Sequence, residues 1–252
     1  MQLHQPDPEF ISSPRAQRSF KLALKLASAF VALLWLVFTV DWLFGLDLVR
    51  YGLMPRRLDG LIGVLTTPLL HGSWAHLGSN TLPLLVGATA ILFLYPNSSL
   101  YVVPILYGGA PLLAWTFARP DLHVGASGLI YGLLAYVFWG GLLRRDVRSI
   151  GVSLLIYFLY GSTVYGILPG QGRTSWELHL SGAILGLAAA WFFRRWDQTP
   201  RKQYDWDGPD GHEDELEYWL QKAENDRPEA PNREYPQETI ASTTKPKDEG
   251  KP

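Results

Sequence analysis

A serine and a histidine stand at corresponding positions of two apolar, helix-length segments. Gly125-Ala126-Ser127-Gly128 opens one of them; His179 opens another 52 residues later, with Gly182 and Gly186 following at helical spacing. Polar and ionisable side chains are costly in hydrocarbon, so their presence there points to function. A hydroxyl beside an imidazole is the minimum set for nucleophilic acyl transfer, because the ring can take the hydroxyl proton and return it to a leaving group. Tyr131 shares the serine's helical face at i+4. A further polar cluster, His71-Gly72-Ser73-Trp74-Ala75-His76-Leu77-Gly78-Ser79-Asn80, opens another apolar segment and puts His76 and Asn80 on one face, four residues apart. Acyl transfer builds an oxyanion, and an Asn amide, a His N–H and the nucleophile's own backbone N–H can stabilise it, one donor contributing about 2.7–4 kcal/mol.

Each residue alone has an ordinary explanation. A serine in a membrane helix usually bonds its own i−4 carbonyl, and a lone histidine at the end of a span is usually a satisfied polar group. Three clusters at one depth are harder to dismiss. A metal centre on His71, His76 and His179 is the competing chemistry, but no His-Glu-x-x-His spacing occurs. Neither a metal nor another cofactor is expected. The chain has no Cys, so disulfides, thiolate nucleophiles and Cys-based metal sites are excluded. Glu177 falls two residues before His179, on nearly the opposite helical face, and Asp121 falls in a loop, so neither acid completes a triad. A Ser–His dyad fits better.

Positioning these groups requires an all-α fold, a polytopic membrane bundle. Crossing about 30 Å of hydrocarbon takes roughly 17–25 helical residues. Six segments qualify, near 24–45, 76–95, 100–118, 125–143, 150–168 and 175–193, together a transmembrane domain over 24–196. The first is too long for a signal peptide and lacks a small-residue cleavage site, so it is expected to be retained. Gly125, Gly128 and Gly132 on the serine segment, and Gly182 and Gly186 on the histidine segment, are small residues at the spacing that lets two membrane helices touch. Between the first two spans, residues 46–75 are apolar but broken by Gly and Pro, which predicts interfacial structure packed against the bundle, with an ordinary amphipathic loop as the alternative.

Charge divides the chain in two. Residues 1–196 carry 14 basic and 8 acidic side chains, net +6; residues 197–252 carry 8 and 15, net −7. With the N-terminal segment 1–23 inside, eleven basic residues (Arg15, Arg18, Lys21, Lys25 and the clusters at 144–148 and 194–202) face five on the other side. That asymmetry predicts two cytoplasmic termini and chemistry near the outer face. The absence of a eukaryotic targeting segment makes a prokaryotic inner membrane the expected location. Beyond Trp196 the chain is polar, acidic and rich in Pro, hence mostly disordered, with residues 225–252 wholly so. Leu216, Trp219 and Leu220 allow one short amphipathic helix over 212–225. An acidic tail gives no reason to expect nucleic acid as a partner.

His-x4-His-x3-Asn, Gly-x-Ser-Gly and His-x2-Gly-x3-Gly occur in that order, at the starts of the second, fourth and sixth spans. In order, spacing and placement they resemble the motifs of the rhomboid family of intramembrane serine proteases, over about residues 50–193. The resemblance implies a serine endopeptidase that cuts transmembrane segments of membrane-protein substrates, with the bilayer as its medium. Ser127 would be the nucleophile and His179 the general base; Tyr131 would stack on and orient the imidazole, and His76, Asn80 and the Ser127 N–H would form the oxyanion hole. It also implies small side chains at the cleaved residue and a lateral gate at spans 2 and 5. His71 is assigned a structural part; His4, His123 and His212 are assigned none. One departure stands out: the Trp-Arg pair many rhomboids carry in the first loop is replaced by Ile62-Gly63, with Arg56-Arg57 the nearest basic pair. The alternative is an inactive rhomboid-like protein that binds or escorts transmembrane helices, although such relatives commonly lack the serine or histidine. A solute channel lined by the same polar groups fits less well, since no internal repeat is visible. Oligomeric state has no signature in the sequence.

Overall fold

Helix boundaries follow local caps more closely than they follow the apolar windows. In the computed structural model, which describes residues 13–170, 174–198 and 211–225, helix α1 spans Pro14–Phe44. The hydropathy window puts the first span at 24, but the helix starts at its stop-and-start chemistry. Ser13 Oγ accepts the Ala16 N–H at 3.1 Å, and Pro14 occupies the first turn, where its missing N–H costs nothing. Gly45 ends it in the left-handed conformation at φ 59°.

Helix α2 (Trp74–Leu94) is capped by Ser73, whose Oγ accepts the His76 N–H at 3.1 Å. Helix α3 (Ser99–Phe117) carries Pro104 and Pro111, and α2 carries Pro83; prolines inside membrane helices are tolerated where neighbours satisfy the freed carbonyls. Helix α4 covers Ser127–Arg144. Asp146 caps α5 (Val147–Tyr160) by accepting the Ser149 N–H at 2.8 Å, and α5 tightens into a 3-10 segment, Gly161–Ile167. Helix α6 is Trp176–Phe192.

Among the described residues, five stretches are long and apolar enough to cross a membrane: α1 to α4, and α5 with its 3-10 continuation to Ile167. At 17 residues α6 is shorter, about 26 Å long at 1.5 Å per residue. Among the described residues there is no strand, only an isolated bridge between Leu53 and His123.

Helix α4 is the central element, with Leu133, Tyr136 and Val137 all but inaccessible. It packs most extensively on α6 and also touches α2, α3 and α5, while α1 packs on α2. Large apolar side chains such as Leu36 on α1 and Phe158 on α5 point outward. That inversion suits a lipid surround, where outward leucine costs nothing. Multiple apolar helices of this kind mark an integral membrane protein.

Residues 46–75 fold into short helical turns, Leu48–Tyr51, Asp59–Ile62, Gly63–Thr66 and Thr67–Leu69. They bury Leu53 and Leu70 against the helices and leave Leu58 and Leu65 exposed. At the opposite end of the bundle, Asp197 follows α6 and accepts hydrogen bonds from the backbone N–H groups of Asn97 and Ser98 at 2.8 and 2.9 Å. This ties the end of α6 to the turn between α2 and α3.

Residues 204–252 form a separate unit. Within it, helix α7 spans Gly211–Asn225 and exposes Trp219 and Leu220. The segments expected to be disordered beyond α7 lie outside the described residues, as does the chain before Ser13.

Candidate active site

Three helix starts and two loops enclose a cavity of about 510 Å3. Ser127, His179, Tyr131, His76 and Asn80 all line it. Ser127 is the first residue of α4, so its backbone N–H has no partner one turn earlier in the helix and is available to a ligand. The turn before it depends on Gly125, at φ +116°. A Cβ there would be strained and would also stand 2.6 Å from His76 Nε2 and Cε1. The Gly125 N–H is held by the Thr67 carbonyl at 3.0 Å. Ser127 Oγ has no hydrogen-bond partner among the described residues, and no direct bond joins it to His179.

His179 lies in the first turn of α6 and is 7% exposed. Its Nδ1 is 3.0 Å from the Gly166 carbonyl. A carbonyl can only accept, so Nδ1 carries the proton and Nε2 is left as an acceptor. The Tyr131 ring lies flat on the imidazole, with centroids 4.1 Å apart. Its hydroxyl donates to the Thr163 carbonyl at 2.7 Å. Gly161–Ile167 therefore holds both rings, one through Thr163 and the other through Gly166.

Across the cavity, Asn80 Nδ2 donates to His71 Nε2 at 3.1 Å, and the His71 and His76 rings meet edge to face with centroids 5.1 Å apart. Burial, with a smaller contribution from His76, pulls His71 down to about 4, so its ring is neutral and able to accept. His71 thus fixes the Asn80 amide and leaves its second N–H uncommitted.

Close approach of α4 and α6 brings the two helix starts together. A Cβ on Gly182 would collide with the Gly128 carbonyl, one on Gly186 with the Gly132 carbonyl, and one on Gly128 would stand 2.7 Å from Leu178 Cγ. Backbone touches backbone here because no side chain intervenes.

Sequence reasoning passed over the polar wall that joins the loop before Ser127 to the start of α6. Glu177 is buried and accepts the Arg119 N–H at 3.3 Å, with an ion pair to Arg119 Nε at 3.5 Å. His123 bonds Ser175 Oγ through Nδ1 and the Arg119 carbonyl through Nε2. These partners lie 52 to 58 residues apart or on irregular backbone, where no periodicity signals them. Among the described residues, no three His, Asp or Glu side chains converge as a metal set.

The molecule is a helical integral membrane protein with a polar, serine- and histidine-lined cavity at one end of its central helices. A family model described as Rhomboid domain matches residues 59–196. An uncharacterized protein of Mycobacterium bovis is 40% identical over 171 residues, which cover 64% of this chain and 71% of that protein. An uncharacterized protein of Mycobacterium leprae is 35% identical over 173 residues, 64% of this chain and 68% of that protein. A Bacillus subtilis protein named rhomboid protease GluP is 29% identical over 131 residues, 51% of this chain and 24% of that protein. The chain belongs to the rhomboid family.

Proposed function

We propose that this protein is an intramembrane serine endopeptidase that hydrolyses transmembrane segments of membrane proteins through a Ser127–His179 dyad. The observation that carries the reading is the 3.0 Å contact between His179 Nδ1 and the Gly166 carbonyl, which implies the tautomer. The Nδ1 proton is committed to Gly166, so the free Nε2 lone pair belongs to the cavity that also contains Ser127. His179 Nε2 takes the Ser127 hydroxyl proton as Oγ attacks the scissile carbonyl carbon. The carbonyl oxygen, now negative, is held by the Ser127 N–H, the free Asn80 N–H and His76. Collapse of that adduct breaks the C–N bond, and His179 delivers its proton to the departing amine. Water, deprotonated by the same nitrogen, then releases the acyl group and restores Ser127. A long or absent Ser–His bond in the free enzyme is compatible with this, because such contacts commonly tighten only when substrate is bound.

A helical peptide bond is hydrogen-bonded and shielded, so substrates should carry helix-weakening residues near the cut. The reading further takes α6 as a sixth span, with both termini cytoplasmic and the cavity toward the outer face, on the distribution of basic residues. The unbonded Ser127 hydroxyl favours a second reading, a rhomboid-like protein that binds transmembrane helices without cutting them. Labelling with a fluorophosphonate probe in detergent separates the two. Wild type should label, and Ser127→Ala and His179→Ala should not; a folded wild type that fails to label supports the binding protein instead.

A further inference from the structure

We infer that His123 is a positioning residue that sets the distance between the Ser127 loop and the His179 helix, an inference that rests on reading those two as the reacting pair. His123 is 2% exposed and forms part of the cavity wall. Its backbone pairs with Leu53 in both directions at 2.9 Å, and its carbonyl also accepts from Thr67 Oγ1 at 3.3 Å. The ring reaches the other way. Nε2 is 3.1 Å from the Arg119 carbonyl, which can only accept, so Nε2 carries the proton and Nδ1 accepts from the Ser175 hydroxyl.

The placement of Ser175 is what makes this bond more than loop packing. Ser175 occupies the N-cap position of α6, where a serine normally turns its oxygen onto the helix's own free N–H groups. It makes no such cap here, and its side chain is committed to His123 instead. Its carbonyl accepts the His179 N–H at 3.2 Å. His123 lies four residues before Ser127, and Ser175 four residues before His179. One side-chain hydrogen bond therefore spans the two segments that carry the proposed nucleophile and base, at equal chain distance from each. A local capping preference given up for a long-range bond is the kind of inconsistency expected where geometry serves a site.

The test uses the full chain in detergent, with His123→Ala, His123→Asn, Ser175→Ala and the double variant His123→Ala/Ser175→Ala. Three quantities are read: fluorophosphonate labelling rate, melting temperature, and amide hydrogen exchange over residues 122–128 and 174–180. Each alanine variant should label about ten- to a hundredfold more slowly, as expected for a misplaced reacting group. Exchange should rise in both segments, and the rate should fall further than the drop in melting temperature accounts for. The double variant should be no slower than the worse single one, since the same bond is lost. Asparagine can replace Nδ1 as the partner of Ser175, so His123→Asn should recover most of the rate; it also carries the test if His123→Ala does not fold. Wild-type labelling and exchange in His123→Ala, additive losses in the double variant, or losses that simply follow melting temperature would each overturn the proposal while leaving the dyad intact. Unlabelled wild type whose two segments still loosen together in His123→Ala would sink the dyad and support the tether.

Discussion

The Tyr131 and His179 rings are 8° from parallel, and Tyr131 also holds the Thr163 carbonyl in the segment that fixes His179 through Gly166. Stacking and segment anchoring are separable. Tyr131→Phe keeps the ring and leaves one carbonyl without its donor, a loss of about 0.5–1.5 kcal/mol in stability. Tyr131→Ala removes the surface against which the imidazole lies, itself worth about 0.5–1.5 kcal/mol. It should lower turnover about tenfold or more by freeing the ring to rotate. Melting curves and single-turnover rates for both variants measure the two effects; equal rates in Tyr131→Ala and wild type would remove the orienting role.

Asn80 and His71 act as a unit. Asn80→Ala should slow cleavage about a hundredfold without abolishing it, because the Ser127 N–H and His76 remain. Unchanged rates would rule out Asn80 as an oxyanion donor. His71 is held neutral by burial, at about 4 against an ordinary 6.5. Between those values the unfolded chain binds a proton that the folded protein refuses, so stability should be full above pH 6.5 and fall as the pH is lowered toward about 4. His71→Gln should make that fall shallower.

The contact of Gly182 with the Gly128 carbonyl leaves no room for a methyl group. Gly182→Ala should therefore force α4 and α6 apart, costing about 1–3 kcal/mol and slowing labelling of Ser127. Gly151→Ala on α5, where a new Cβ meets nothing within 4 Å, is the control and should be neutral on both counts. A Gly182→Ala protein as stable and as reactive as wild type would show that the helices do not depend on that contact.

Helical character, five of the six expected spans and the family were legible in the sequence, because each is written in local signals: apolar runs, Gly spacing and short polar motifs. The cavity gathers Ser127, His179, His76, Asn80 and Tyr131, residues that stand out because each opens, or lies one turn into, an apolar run. Helix ends were less legible. The α1 start at Ser13-Pro14 is set by capping, which a hydropathy window does not see. Least legible were the ties between segments. The His123–Ser175 bond spans 52 residues, and the Asp197 contacts with Asn97 and Ser98 span about a hundred. A charge such as Glu177 beside an apolar run has no sequence mark that tells a buried partner from a solvated one.

That buried charge is itself testable. The Glu177 side chain is 2% exposed and its Oε2 has no partner, so Arg119, 35% exposed, is the cation that makes its burial tolerable. Removing the cation alone strands a carboxylate in the protein, and Arg119→Met should cost about 1–3 kcal/mol, less than for a fully buried pair because Arg119 is partly solvated. Removing both charges leaves only the residue-119 backbone N–H without its acceptor: Arg119→Met/Glu177→Leu should regain part of that loss, since apolar replacements of a buried pair are often neutral or stabilising. Glu177→Gln keeps an acceptor for the Arg119 N–H and should fall between them. Melting temperatures of the three variants in detergent give the ordering. If Arg119→Met melts with wild type, the pair does not hold the start of α6, and the position of His179 must be set without it, by Gly166, the Tyr131 ring, the His123–Ser175 bond and the glycine contacts with α4.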